Sequence, residues 1–180
     1  MNLANKITIF RVIMIPFFMF FLLSDIQNGQ MIATGIFIIA ALTDSLDGHI
    51  ARSRNQITTL GKFMDPLADK LLVSAALISM IELGMVKSWM VVVIIAREFA
   101  ITGLRVIAAS EGITIAANWL GKIKTITQLV AIILLLLNNY PFRLINIPMD
   151  QIMLYIAVIF TIISGIDYLY GNRQVFKSND

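Results

Sequence analysis

The chain has 180 residues, of which 58% are apolar and only 14% charged. An ordinary soluble domain is about a quarter charged, so 14 basic and 11 acidic residues argue against a solvated globule, and the same numbers exclude a disordered chain. Cysteine is absent, histidine occurs once (His49), and the net charge is +3. Disulfides, thiolate centres and multi-histidine metal sites are thereby removed, no nucleic-acid signature is left, and basic residues near membrane ends would meet anionic headgroups or anionic substrates.

A membrane helix needs about 20 largely apolar residues. Six stretches qualify, at 6–24, 31–51, 65–83, 88–109, 121–138 and 151–170, separated by polar breaks. The expected fold is therefore all-α: a single membrane-embedded domain over 1–180 with six transmembrane helices. A polar opening, Asn2 to Lys6, forms a short N-terminal segment suited to the membrane interface. The first stretch resembles a signal peptide, with Lys6 and Arg11 ahead of the run from Val12 to Leu23. No small-x-small cleavage site follows, so a retained first span is expected. Pro16 would kink it, which membrane helices tolerate.

Orientation follows from the basic residues. Lys6, Arg11, Arg52, Arg54, Lys62, Lys70, Arg105, Lys122, Lys124, Arg173 and Lys177 fall on the side of the N-terminus, and only Lys87 and Arg143 on the other. Basic residues favour the cytoplasmic side, so both termini are expected there.

Spans two and three carry four aspartates at their cytoplasmic ends. Carboxylates in or beside a membrane span are costly and mark function. Asp44 and Asp47 stand three apart, Asp65 and Asp69 four apart, so each pair shares one helix face. A short polar loop makes the two helices antiparallel neighbours, and the four carboxylates can converge. Like charges in one pocket protonate or take up cations. An all-oxygen donor set suits Mg2+ or Mn2+, and two such ions can clamp a phosphate while stabilising an attacking and a leaving oxygen. Gly48, Ala51 and Gly61 leave room for close approach to the backbone, although helix packing uses small residues in the same way. The competing structural reading makes the aspartates helix caps paired with Arg52, Arg54, Lys62 and Lys70.

Span four holds a second charged group. Arg97 lies well inside the span, where an arginine needs a polar cavity or a partner. Arg105 is eight residues on, near the same face, and Lys122 and Lys124 open span five. Arginine favours two-pronged phosphate contacts and lysine adds point charge, so the four suggest a pocket for an anionic acceptor. In the structural alternative, Arg97 pairs with Glu98 or another carboxylate and the lysines reach to headgroups. His49, Glu82, Glu111 and Asp167 receive no role.

Written out, Asp44-x2-Asp47-Gly48-x2-Ala51-Arg52-x8-Gly61-x3-Asp65-x3-Asp69 resembles the signature of the CDP-alcohol phosphotransferase family at every fixed position. The resemblance implies a core of six membrane helices with cytoplasmic termini, usually a homodimer, in a bacterial cytoplasmic membrane. It implies transfer of a phosphatidyl or related group from a CDP-linked donor to an alcohol, with release of CMP. Asp44, Asp47 and Asp65 match metal ligands, and Asp69 matches the aspartate that helps hold the second metal and serves as base. Gly48 and Ala51 match positions that make room for cytidine, and Arg52 a nucleotide-contacting arginine. The segments Asn5 to Arg11, Lys62 to Lys70 and Arg97 to Arg105 resemble the phosphatidylglycerophosphate synthase branch. That resemblance implies CDP-diacylglycerol and sn-glycerol 3-phosphate as substrates and places Asn5, Thr8 and Arg11 beside the nucleotide. Relatives that use phosphatidylglycerol, serine or inositol phosphate remain alternatives. So do a cation transporter, disfavoured by aspartates gathered at one end and by the lack of repeats, and a non-enzymatic scaffold.

Overall fold

The computed structural model describes the backbone of residues 3–53, 59–110, 112, 115 and 118–173, and the side chains of 8–43, 67–68, 70–110, 112, 115 and 118–173. Six α-helices are found there: α1 Leu3–Leu23, α2 Gly29–Ser53, α3 Thr59–Glu82, α4 Ser88–Ser110, α5 Trp119–Leu136 and α6 Met149–Gly171, with a short 3-10 turn at Phe142–Ile145. No strand occurs among the described residues. All six expected spans coincide with a helix. The largest departure is at the start of α3, which begins at Thr59, six residues ahead of the expected span, while α2 runs two residues past its span to Ser53. Hydropathy marks where a span ends, whereas a helix continues into charged residues as long as its backbone bonds close. From Leu3 the opening residues form the first turns of α1, and the helix passes through Pro16 without interruption.

The chain divides into two compact units, 1–86 and 87–180. In the first, α1 packs against α2 and α3. One face of α1 is buried through Thr8, Arg11, Ile15, Phe18 and Leu22, at alternating spacings of about three and four residues that hold a single stripe. Phe10, Ile13, Phe17 and Phe20 form an exposed stripe. A helix apolar on its outer face, with an arginine and a threonine turned inward, suits lipid surroundings and not water. Phe18 meets Phe37 of α2 with ring centroids 5.8 Å apart. The turn between α1 and α2 requires glycine at 29, because a β-carbon there would lie 2.5 Å from the Phe21 carbonyl oxygen. Helix α3 stops at Gly84, whose φ is +70°. Its N–H donates to Ile81 O and that of Met85 to Met80 O, both at 2.9 Å, the paired closure that a left-handed residue permits.

In the second unit α6 packs against both α5 and α4. Helix α5 opens on Asn118, whose side chain accepts from the Leu120 N–H, the usual satisfaction of a free first-turn donor. It closes on Asn138, with φ 51°, by the same paired closure that ends α3: Asn138 N–H to Leu135 O at 3.0 Å and Asn139 N–H to Leu134 O at 2.8 Å. The Asn139 side chain then ties the α5–α6 connection, donating to Ile147 O at 2.7 Å and accepting from the Asp150 N–H at 3.2 Å. Along α6, Leu154, Ala157, Val158, Thr161, Ser164, Gly165 and Tyr168 are buried, while Ile159, Ile162, Ile163 and Ile166 are exposed. Polar groups again face inward and branched aliphatics outward. Among the described residues, α5 and α6 are long and apolar enough to cross a membrane, with mean hydropathy 1.6 and 2.1, and shorter apolar runs lie at Thr8–Leu23 and Gly29–Thr43. Arg97, Glu98 and Arg105 hold α4 below that level.

Candidate active site

Positions 44 and 47 fall within α2, and 61, 65 and 69 within α3. The three- and four-residue spacings are therefore true helical spacings, and each aspartate pair shares one face of its own helix. Helices α2 and α3 pack together in the first unit. The side chains of Asn5, Asp44, Asp47, His49, Ala51, Arg52, Asp65 and Asp69, and the surroundings of Gly48 and Gly61, lie outside the described residues. Thr8 and Arg11, expected beside a nucleotide, are each only 1% exposed. Their inward face belongs to the N-terminal half of α1. The antiparallel course of α1 and α2 brings that half alongside the C-terminal half of α2, where Asp44 and Asp47 stand.

The second unit gathers most of the other expected charges. Arg97 donates from Nη1 to Glu98 Oε1 at 3.0 Å and from Nη2 to Ser164 Oγ of α6 at 3.1 Å. Lys124 of α5 reaches the same Glu98 oxygen, with its side chain 3% exposed. One carboxylate thus bridges cations from two helices. The Arg97–Glu98 pair of the structural alternative is present, and Lys124, which that alternative sends to headgroups, is buried. Room for the arginine comes from Gly165, where a β-carbon would lie 3.2 Å from Arg97 Cγ; one on Gly121 would make only an ordinary contact, 3.7 Å from Arg97 Nη2. Among the described residues, Arg97 Nε is buried and has no hydrogen-bond partner.

Arg105 donates from Nε to the Tyr168 hydroxyl at 2.7 Å, and its guanidinium carbon lies 5.3 Å from the centre of that ring. The Arg105 side chain is otherwise exposed. Lys122 stands apart: its ammonium lies 5.7 Å from the Trp119 ring centre, and no described contact joins it to Arg97, Arg105 or Lys124. Asp167, without a role from sequence, accepts from the Asn118 side chain and so ties the start of α5 to the end of α6. Ser164, Tyr168 and Asn118 were all missed by sequence reasoning. Their only signal would have been their helical register opposite Arg97, Arg105 and Asp167, which requires knowing that α6 is the neighbour.

Residues 1–163 match the family model described as CDP-alcohol phosphatidyltransferase. The chain belongs to this family. Among its curated relatives is the CDP-diacylglycerol–glycerol-3-phosphate 3-phosphatidyltransferase of Bacillus subtilis (strain 168), 47% identical over 191 residues that cover 99% of both chains. The protein of the same name from Haemophilus influenzae is 42% identical, covering 93% of this chain and 91% of the relative. That of Rickettsia bellii is 34% identical, covering 97% of each. As a family member the chain is an enzyme, and its helices, apolar on their outer faces, associate it with membranes.

Proposed function

We propose that this protein transfers the phosphatidyl group of CDP-diacylglycerol to sn-glycerol 3-phosphate, giving phosphatidylglycerophosphate and CMP. The observation that carries this is near-full-length identity, at 47%, to a relative named for that reaction. The polar interior of the second unit is further support: Arg97 and Arg105, on one helix, suit a phosphate monoester.

In this proposal the chain is one domain of six transmembrane helices in a bacterial cytoplasmic membrane, with both termini and the active site on the cytoplasmic face, and it works as a homodimer. Asp44, Asp47, Asp65 and Asp69 hold divalent cations, Mg2+ or Mn2+. The fit rests on the donor chemistry: four carboxylates at helical spacing on two packed helices offer only oxygen, which hard cations prefer. Bound there, two cations would neutralise the diphosphate and acidify a nearby hydroxyl. Gly48, Ala51, Arg52 and Gly61, with Asn5 and Thr8, receive the cytidine nucleotide. Arg97, Arg105, Lys122 and Lys124 receive the acceptor phosphate.

The 1-hydroxyl oxygen of glycerol 3-phosphate attacks the phosphorus that bears the diacylglycerol. Asp69 takes the hydroxyl proton, the bond from that phosphorus to the bridging anhydride oxygen breaks, and CMP leaves with the electron pair. A general base must stand within hydrogen-bond reach of the proton it removes, and holding both substrates in one geometry supplies the proximity term. Purified protein given CDP-diacylglycerol, Mg2+ and separate acceptors provides the test. CMP release with glycerol 3-phosphate is expected. Release only with phosphatidylglycerol, serine or inositol phosphate would overturn the assignment.

A further inference from the structure

Arg97 and Arg105 are eight residues apart on α4, about 12 Å along the helix axis. Their partners on α6, Ser164 and Tyr168, are four residues apart, about 6 Å. A long side chain on a helix leans toward the N-terminus of that helix, so the Tyr168 ring leans back toward Ser164. The two guanidiniums are therefore held against one face of one helix by hydrogen bonds to residues one turn apart, Nη2 to Ser164 Oγ at 3.1 Å and Nε to Tyr168 Oη at 2.7 Å. Like charges do not approach in a partly buried site without compensation.

The bonding pattern leaves donors pointing elsewhere. Among the described residues, nothing accepts from Arg105 Nη1 or Nη2, so the flat edge that makes two-pronged phosphate contacts is uncommitted. Arg97 Nε is a buried donor without an acceptor, a condition that natural structures rarely leave unmet. Both partners on α6 are themselves buried, Ser164 at 1% and Tyr168 at 4% exposed, so they are rigid anchors.

We infer that Ser164 and Tyr168 are positioning residues for the acceptor: one turn apart on α6, they aim the guanidiniums of Arg97 and Arg105 at a single phosphate monoester. Neither touches the reacting phosphorus. Each acts through its arginine, and the inference rests on the proposed glycerol 3-phosphate reaction. Tyr168→Phe keeps the ring and its packing but removes the hydroxyl that holds Arg105 Nε.

The test measures steady-state kinetics of purified full-length Tyr168→Phe and Ser164→Ala against both substrates in detergent micelles. Losing one hydrogen bond to a charged group corresponds to about a tenfold weaker interaction. The KM for glycerol 3-phosphate is therefore expected to rise about tenfold in Tyr168→Phe and by a smaller factor in Ser164→Ala, with kcat and the KM for CDP-diacylglycerol held within about twofold. An unchanged acceptor KM in both variants overturns the inference, as does a KM rise for CDP-diacylglycerol instead, which would assign the arginines to the lipid donor. If the unaltered enzyme releases no CMP with glycerol 3-phosphate, the proposed reaction itself fails, a result distinct from either of these.

Discussion

Gly165 of α6 lies flat against the side chain of Arg97: a β-carbon built on it would stand 3.2 Å from Arg97 Cγ. The arginine cannot simply swing away, because its two terminal nitrogens are held by Glu98 and Ser164. Gly165→Ala should therefore move the guanidinium by a few tenths of an ångström and, if Arg97 holds the acceptor as proposed, cost about 1 kcal/mol of its binding, within the usual range for overpacking. The KM for glycerol 3-phosphate reads this directly. Gly103, on α4, has nothing within 4 Å of its notional β-carbon. Gly103→Ala should leave the KM alone and, by helix propensity, stabilise the fold slightly.

Glu98 is bonded to both Arg97 and Lys124. Removing the shared carboxylate by Glu98→Ala takes a counter-charge from two largely buried cations, and breaking such a group costs about 3 kcal/mol. Lys124→Met removes one cation and leaves the Arg97 bond in place, so it should cost less. The double variant should be more stable than the two single losses added together, with a coupling of about 1–2 kcal/mol. Unfolding of the four proteins in one detergent measures it. Strict additivity would show that the bridge contributes nothing.

Substituting asparagine singly at Asp44, Asp47, Asp65 or Asp69 keeps the shape and removes the charge. In the proposed chemistry each change should abolish CMP release with every acceptor, and chelation by EDTA should do the same reversibly on adding back Mg2+. Arg105→Lys keeps a cation but loses the planar fork, so it should chiefly raise the acceptor KM. Equal behaviour of the aspartate and arginine variants would refute the division into a cation site and an acceptor site.

Because the chain lacks cysteine, single introduced cysteines can report sidedness without background. Cysteines replacing Lys87, before α4, and Asn172, after α6, should react with a membrane-impermeant maleimide from opposite faces of sealed vesicles, the latter only when the cytoplasmic face is exposed. Labelling of both from the same face would refute the proposed passage of three helices between them.

The helices themselves were legible because an apolar run of span length has few alternatives, and each of the six runs coincides with one helix. The aspartate pairs were legible because local spacing is enough to put two residues on one helix face. The inner wiring was not. Lys124 meets Glu98 across 26 residues, Arg97 meets Ser164 across 67 and Arg105 meets Tyr168 across 63, distances at which periodicity carries no information about contact. A lone serine inside an apolar helix looks like a packing residue, and a tyrosine near a span's end looks like an interfacial anchor. The link of Lys124 to Arg97 through Glu98 was hidden for the same reason. Its place near the start of a span says nothing of which neighbouring helix it meets, and it is buried against Glu98 of α4.

The tie between α6 and the arginines of α4 has a consequence for how the molecule is made. Arg97 and Arg105 leave the ribosome more than fifty residues before Ser164 and Tyr168. During that interval Glu98 is the one carboxylate among the described contacts that offsets the arginines of α4. In the proposed reading, the acceptor pocket is thus the last part of the second unit to come into being, completed when α6 packs against α4. A ribosome stalled before residue 164 would leave an intermediate with neither of the hydrogen bonds from α4 to Ser164 and Tyr168.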